Sequence, residues 1–189
     1  MGGKWTTHRA MAEDTIHVVQ QALGLPQTES QTRNHILYGG EGFTDDYWKK
    51  LCREHPVSEG TAHHLASKFG TASEKVLDLT AEDPALMQTI LAGGRAIRAE
   101  VVYAVRYEMA ATIEDVLARR LGMQLYSWSD CIDAAPIVGP LMMNELQWST
   151  SFTRDATTSY VEKIHHLLDS AGLSRRRPPS SVSGQSAAD

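Results

Sequence analysis

Apolar residues recur along this chain at helical intervals, and no stretch alternates apolar and polar positions for long enough to predict a strand. Met11, Ile16, Val18, Val19, Ala22 and Leu23 favour one side of a helix that Thr6 or Thr7 can cap and that Gly24 and Pro26 stop. Residues 25–43 are polar and turn-rich around Leu37-Tyr38-Gly39-Gly40-Glu41-Gly42, which predicts a connector. Thr44 is positioned to cap a helix carrying Tyr47, Trp48 and Leu51, which His55-Pro56 ends. Ser58 opens the next, with Ala62, Leu65, Ala66 and Phe69 on one stripe and Gly70 as its stop.

Short helical pieces follow around Val76-Leu77 and Pro84, and Gly93-Gly94 interrupts the chain. Val101, Val102, Val105 and Met109 line a helix expected over Ile97–Ala111. Thr112 with Asp115 has capping-box spacing, so a restart is expected there, continuing to Arg120. Ser129 is read as the start of two helices joined near Pro136, because proline removes an internal hydrogen bond. Leu121–Trp128 could be extended, and a last helix holding Tyr160, Ile164 and Leu168 stops at Gly172. The predicted class is all-α: an irregular or orthogonal bundle of short, unequal helices. The expected organisation is a leading segment 1–24, a linker 25–43, a helical domain 44–173 and a disordered tail 174–189. The tail, RRRPPSSVSGQSAAD after Ser174, has too little apolar surface to offset its ordering entropy.

Composition narrows the function classes. A net charge of −5 argues against a general nucleic-acid partner, and the charge sits unevenly, at −7 up to Ser174 and +2 beyond it. No basic recognition helix suits a helix-turn-helix regulator. Two cysteines, Cys52 and Cys131, cannot build a disulfide scaffold and suit a reducing, cytoplasmic setting. No apolar run approaches the roughly 20 residues that span a bilayer.

Most candidate chemistry is weak. The eight histidines include two adjacent pairs, His63-His64 and His165-His166, whose members point about 100° apart on a helix; no zinc-protease spacing exists, and no metal ligand is assigned. Cys52 lies among Lys49, Lys50 and Arg53, a setting that favours a thiolate, but a lone cysteine on an amphipathic helix is more often structural. Gly39-Gly40-Glu41-Gly42 is not GxGxxG, and no other stretch carries that fingerprint. Arg106 and Tyr107 could meet a phosphate or simply join helices. No catalytic residue is assigned. The head differs: Gly2-Gly3-Lys4-Trp5-Thr6-Thr7 places two permissive glycines and several donors before the positive end of a helix, where an anionic ligand atom is stabilised.

These residues carry a resemblance. Gly2 to Asp14, GGKWTTHRAMAED, resembles the GGKWTTYRxMAED segment that closes the flavin-binding domain of FAD-dependent glycerol-3-phosphate dehydrogenases, with His8 where that family often has Tyr. His64 to Gly70, HLASKFG, is similar to its HLASRYG; Ala99 to Arg120 resembles AEVxYAVRxEMAxTxEDVLxRR; and Ala134-Ala135-Pro136 through Glu145-Leu146-Gln147-Trp148 matches its AAP...ELxW close. The matches run in order over roughly residues 2–168.

The resemblance implies the last third of an enzyme that oxidises glycerol 3-phosphate to dihydroxyacetone phosphate through FAD, with electrons passing to quinone at the inner membrane face. It implies Gly2, Gly3, Lys4, Trp5, Thr6 and Thr7 as flavin contacts. It also implies an N-terminal flavin and substrate domain as partner, with a homo-oligomer and peripheral membrane contact as further possibilities. The chain alone is then expected neither to retain FAD nor to turn over, and to expose apolar surface around Met11, Val18 and Val19. The competing reading is an independent helical interaction or assembly module with a closed core of its own.

Overall fold

A computed structural model describes residues 4–173. The expected tail, 174–189, lies outside the described residues, as do Gly2 and Gly3. The chain divides into two units, the first ending at Glu41 and the second beginning at Gly42.

The first unit holds α1, His8–Ala22, entered through a 3-10 turn, Trp5–Thr7, and followed by a second such turn, Thr32–Asn34. Gly24, with φ of 66°, provides the left-handed stop expected after this helix. The cap differs from expectation. Thr7 makes no capping bond, because its hydroxyl donates instead to the Lys4 carbonyl at 2.9 Å, with Met11 Sδ 3.4 Å away. No side chain of α1 is buried: Val18 is 64% and Val19 45% exposed, and Met11 is half-buried.

The second unit contains α2 (Tyr47–Glu54), α3 (Glu59–Phe69), α4 (Ser73–Glu82), α5 (Arg98–Glu108), α6 (Trp128–Leu146) and α7 (Thr150–Ser170). Among the described residues the only β pairing is an isolated Thr89–Ile97 bridge, so the class is all-α. α5 explains the architecture. Six consecutive residues, Ala99 to Ala104, are buried, as happens only when a helix is covered all round. Val101 and Ala104 face one core with α6, α7 and the 110–123 segment; Ala99, Val102 and Tyr103 face a second core with α2, α3 and α4.

Several boundaries depart from the sequence reading for identifiable reasons. α2 begins at Tyr47 rather than behind a Thr44 cap; the turn is closed by Tyr47 N–H donating to the Thr44 carbonyl at 2.9 Å. α5 stops at Glu108, short of Ala111, because Met109 takes φ of 58° and Ala110 N–H reaches back to the Ala104 carbonyl at 2.9 Å. The restart at Thr112 is present, but the segment Asp115–Arg120 is a π-helix, with Leu121 N–H donating to the Val116 carbonyl at 2.7 Å. Leu121–Trp128 is not extended; Gly122 at φ 67° leads into a 3-10 turn, Met123–Leu125.

The largest correction concerns α6, which runs unbroken through Pro136 and Pro140 and is capped by Ser127, not Ser129. The two prolines stand four residues apart on the exposed side, where the carbonyls they leave unpaired can meet water. Ala134, Ala135, Val138, Gly139 and Met142 are buried on the opposite side and hold the helix together by packing.

Candidate functional site

Of the six residues expected at a flavin, Lys4, Trp5, Thr6 and Thr7 stand on one leading turn, and all are exposed, Trp5 at 91%. The turn is rigidified from within: Thr7 N–H donates to the Lys4 carbonyl at 3.0 Å, and His8 Nδ1 to the Trp5 carbonyl at 2.8 Å. The Thr7 hydroxyl is spent inside the turn, which leaves the Lys4 ammonium, the Trp5 ring and the Thr6 hydroxyl presented outward. First-turn amides of a helix lack internal partners and carry partial positive charge. This edge suits one side of a flat, electron-rich ligand. Four exposed residues cannot enclose one, because retention of a drug-sized ligand requires most of its surface to be buried. Beside the turn, α1 and residues 28–37 enclose a cleft of about 590 Å³ that includes His8, His17 and His35.

Among the clusters of titratable groups in the second unit, three centre on Glu100, Glu74 and Arg106, and spacing in the sequence does not reveal them. Glu100 is fully buried; its carboxylate accepts from Ile97 N–H at 2.9 Å, from His64 Nε2 at 3.0 Å and from Lys68 Nζ at 2.8 Å. Burial pushes the carboxyl upward, but the His64 hydrogen bond and the Lys68 charge outweigh it and hold Glu100 below the ordinary carboxylate range. His64 also lines a cavity of about 410 Å³ together with Arg95, Tyr126 and Asp130.

In the second cluster, Glu74 accepts from Lys50 Nζ at 2.9 Å, His55 Nε2 at 2.8 Å and the Tyr47 hydroxyl at 3.1 Å. Burial raises the Glu74 carboxyl, yet those three donors bring it below its ordinary value. Glu54 joins from the end of α2, 3.5 Å from Lys50 Nζ. Glu54, His55 and Glu74 each bring a donor atom to within 4.8 Å of the others, a grouping that neither adjacent-histidine nor zinc-protease spacing could disclose.

The third cluster settles the role of Arg106. Its guanidinium binds both carboxylate oxygens of Glu145, at 2.7 and 3.0 Å, and Glu82 at 3.0 Å, so it ties α4, α5 and α6 together. Cys52 is half-buried on α2 and Cys131 is buried in the α6 core. Among the described residues no helix is long and apolar enough to cross a membrane.

Comparison with known proteins bears on this arrangement. The sequence profile of the C-terminal domain of alpha-glycerophosphate oxidase matches residues 30–153. A mitochondrial glycerol-3-phosphate dehydrogenase from Bos taurus is 30% identical over 154 residues, covering 79% of this chain and 21% of the relative. A probable mitochondrial glycerol-3-phosphate dehydrogenase from Dictyostelium discoideum is 32% identical over 150 residues, 79% of this chain and 23% of the relative. One from Schizosaccharomyces pombe is 28% identical over 202 residues, 93% of this chain and 30% of the relative. The chain thus spans between a fifth and a third of the length of these relatives.

Proposed function

The chain belongs to the family of the C-terminal domain of alpha-glycerophosphate oxidase, and we propose that it works as the C-terminal portion of an FAD-dependent glycerol-3-phosphate dehydrogenase. The parent reaction is oxidation of sn-glycerol 3-phosphate to dihydroxyacetone phosphate. FAD, when bound, accepts the hydride and delivers electrons to quinone.

This chain's residues supply one wall of the flavin site. Lys4, Trp5 and Thr6 present a cation, an aromatic face and a hydroxyl, and Gly2 and Gly3 precede them in the sequence. The positive end of the helix that follows favours negative charge at the flavin edge it faces. Thr7 keeps the turn rigid through its bond to the Lys4 carbonyl at 2.9 Å. The phosphate-gripping fingerprint and the substrate groups belong to an N-terminal partner domain, which covers α1 and excludes water from the site. In isolation the chain neither retains FAD nor oxidises substrate. In the assembled enzyme it lies at the inner membrane face as a peripheral component.

The observation that carries this reading is the first unit's lack of any buried side chain among its described residues, with Ile16, Val18 and Leu23 all more than half exposed. A helix with that much apolar surface is built to be covered. A second reading, a non-catalytic assembly module, draws on the closed double core of the second unit. Co-expression with the flavin-domain portion of a relative decides between them. Recovery of a yellow complex that reduces a dye with glycerol 3-phosphate, lost on Lys4→Glu, supports the enzyme reading. Failure of the two polypeptides to associate favours the module.

A further inference from the structure

Glu54, His55 and Glu74 form a ligand set that neither the enzyme reading nor the family relationship uses. Glu54 and His55 end α2, where helix carbonyls add partial negative charge; Glu74 stands in the first turn of α4. Two carboxylates and one imidazole, with donor atoms within 4.8 Å of one another, are ligand types that zinc accepts, and they leave a fourth tetrahedral position for water. The Lys50 ammonium, 2.9 Å from Glu74 and 3.5 Å from Glu54, occupies the place between the two carboxylates where a cation is held.

We infer that this cluster is a zinc-binding site in which a Zn²⁺ ion displaces the Lys50 ammonium and joins the end of α2 to the start of α4. Lys50 is free to leave: its side chain is 40% exposed, and it sits on a flexible four-carbon stem. His55 Nε2 and Glu74 Oε2 are now 2.8 Å apart, the distance of a hydrogen bond. Tetrahedral ligands at about 2.0–2.1 Å from zinc lie roughly 3.3 Å apart, so entry of the ion separates the pair by about half an ångström and replaces their hydrogen bond with two bonds to the metal. The Tyr47 hydroxyl, 3.1 Å from Glu74 Oε1, then orients the carboxylate from behind.

The test uses the full chain with zinc chloride, read by competition with a chromophoric chelator and by thermal unfolding. The expected result is one zinc bound per chain with a rise in Tm. Glu74→Gln weakens binding at least tenfold and abolishes the rise, and Lys50→Met strengthens binding because the competing cation is gone. His55→Asn repeats the loss if the Glu74 variant does not fold. Unchanged affinity in Glu74→Gln or His55→Asn would place any bound zinc on other surface histidines and overturn the assignment. Weaker binding in Lys50→Met would do the same.

Discussion

His64 Nε2 lies 3.0 Å from both carboxylate oxygens of Glu100, a side chain with no accessible surface. The pair joins α3 to α5 at the centre of the second unit, and Lys68, one turn beyond His64, completes the neutralisation at 2.8 Å. Such a group is costly to disrupt, because removing one partner leaves a buried charge or donor uncompensated. Glu100→Ala is therefore expected to cost about 3–5 kcal/mol, the range for breaking a buried pair. Lys68→Ala, at a partner that still reaches solvent and leaves His64 in place, is expected to cost clearly less. Urea unfolding of the two variants against the parent chain measures both; equal losses would mean that the Lys68 pairing accounts for all that Glu100 contributes, with nothing left for His64 and the Ile97 N–H.

The same carboxylate gives stability an acid limb. Its folded pKa is depressed, so its contribution is complete above the ordinary glutamate value of about 4.3 and disappears as pH falls through the lower folded value. Glu74 and Asp115 are depressed as well and act in the same direction. Unfolding free energy is expected to be level from neutral pH to about pH 5 and then to fall. The fall is shallower in Glu100→Gln. An unaltered acid slope in that variant counts against the pairing.

Tyr160 behaves oppositely. Burial, reinforced by the neighbouring Cys131 thiol, pushes its hydroxyl well above the usual phenol range; the hydroxyl donates to Gln124 Oε1 at 3.0 Å. Tyrosinate absorbance on raising pH should therefore contain a late component that coincides with unfolding. Tyr160→Phe removes that component and costs about 1 kcal/mol for the lost hydrogen bond.

At Gly139, α6 packs close against α7: a Cβ there would lie 2.6 Å from Thr157 Oγ1. That oxygen cannot easily yield, since it donates to the Thr153 carbonyl at 2.8 Å. Gly139→Val is expected to destabilise by about 1–3 kcal/mol through overpacking. Pairing it with Thr157→Ala, which drops the Thr157 hydroxyl, should recover part of the loss, and a double-mutant cycle reads the coupling.

How far the sequence reaches can be judged from particular residues. Ser58, Gly70, Gly24 and the Thr112–Asp115 box announce themselves because capping is local chemistry; the Asp115 carboxylate indeed accepts from Ala111 N–H at 3.1 Å and Thr112 N–H at 2.9 Å. Pro136 misleads because local propensity cannot see the packing that carries α6 past it. The clusters on Glu100 and Glu74 join residues 19 to 36 positions apart, and only the fold brings them together. Periodicity alone could not reveal that α1 keeps no buried face.

Trp5 offers the most direct check on the role of the leading turn. Its ring is 91% exposed, whereas Trp48, Trp128 and Trp148 are all half-buried. Fluorescence of the isolated chain should contain a red-shifted component readily quenched by iodide, and Trp5→Phe should remove it while leaving the unfolding transition in place. If the leading turn is one wall of a flavin site, adding the flavin-domain polypeptide buries the ring. The quenchable component then vanishes, first by exclusion of iodide and then by energy transfer to the bound flavin. Lys4→Glu, which places a negative charge at the edge expected to face the electron-rich ring, should weaken this loss without changing helix content by circular dichroism. A Trp5 that stays accessible to iodide in the associated complex would show that the two polypeptides meet elsewhere, and would remove Lys4, Trp5 and Thr6 from the cofactor wall.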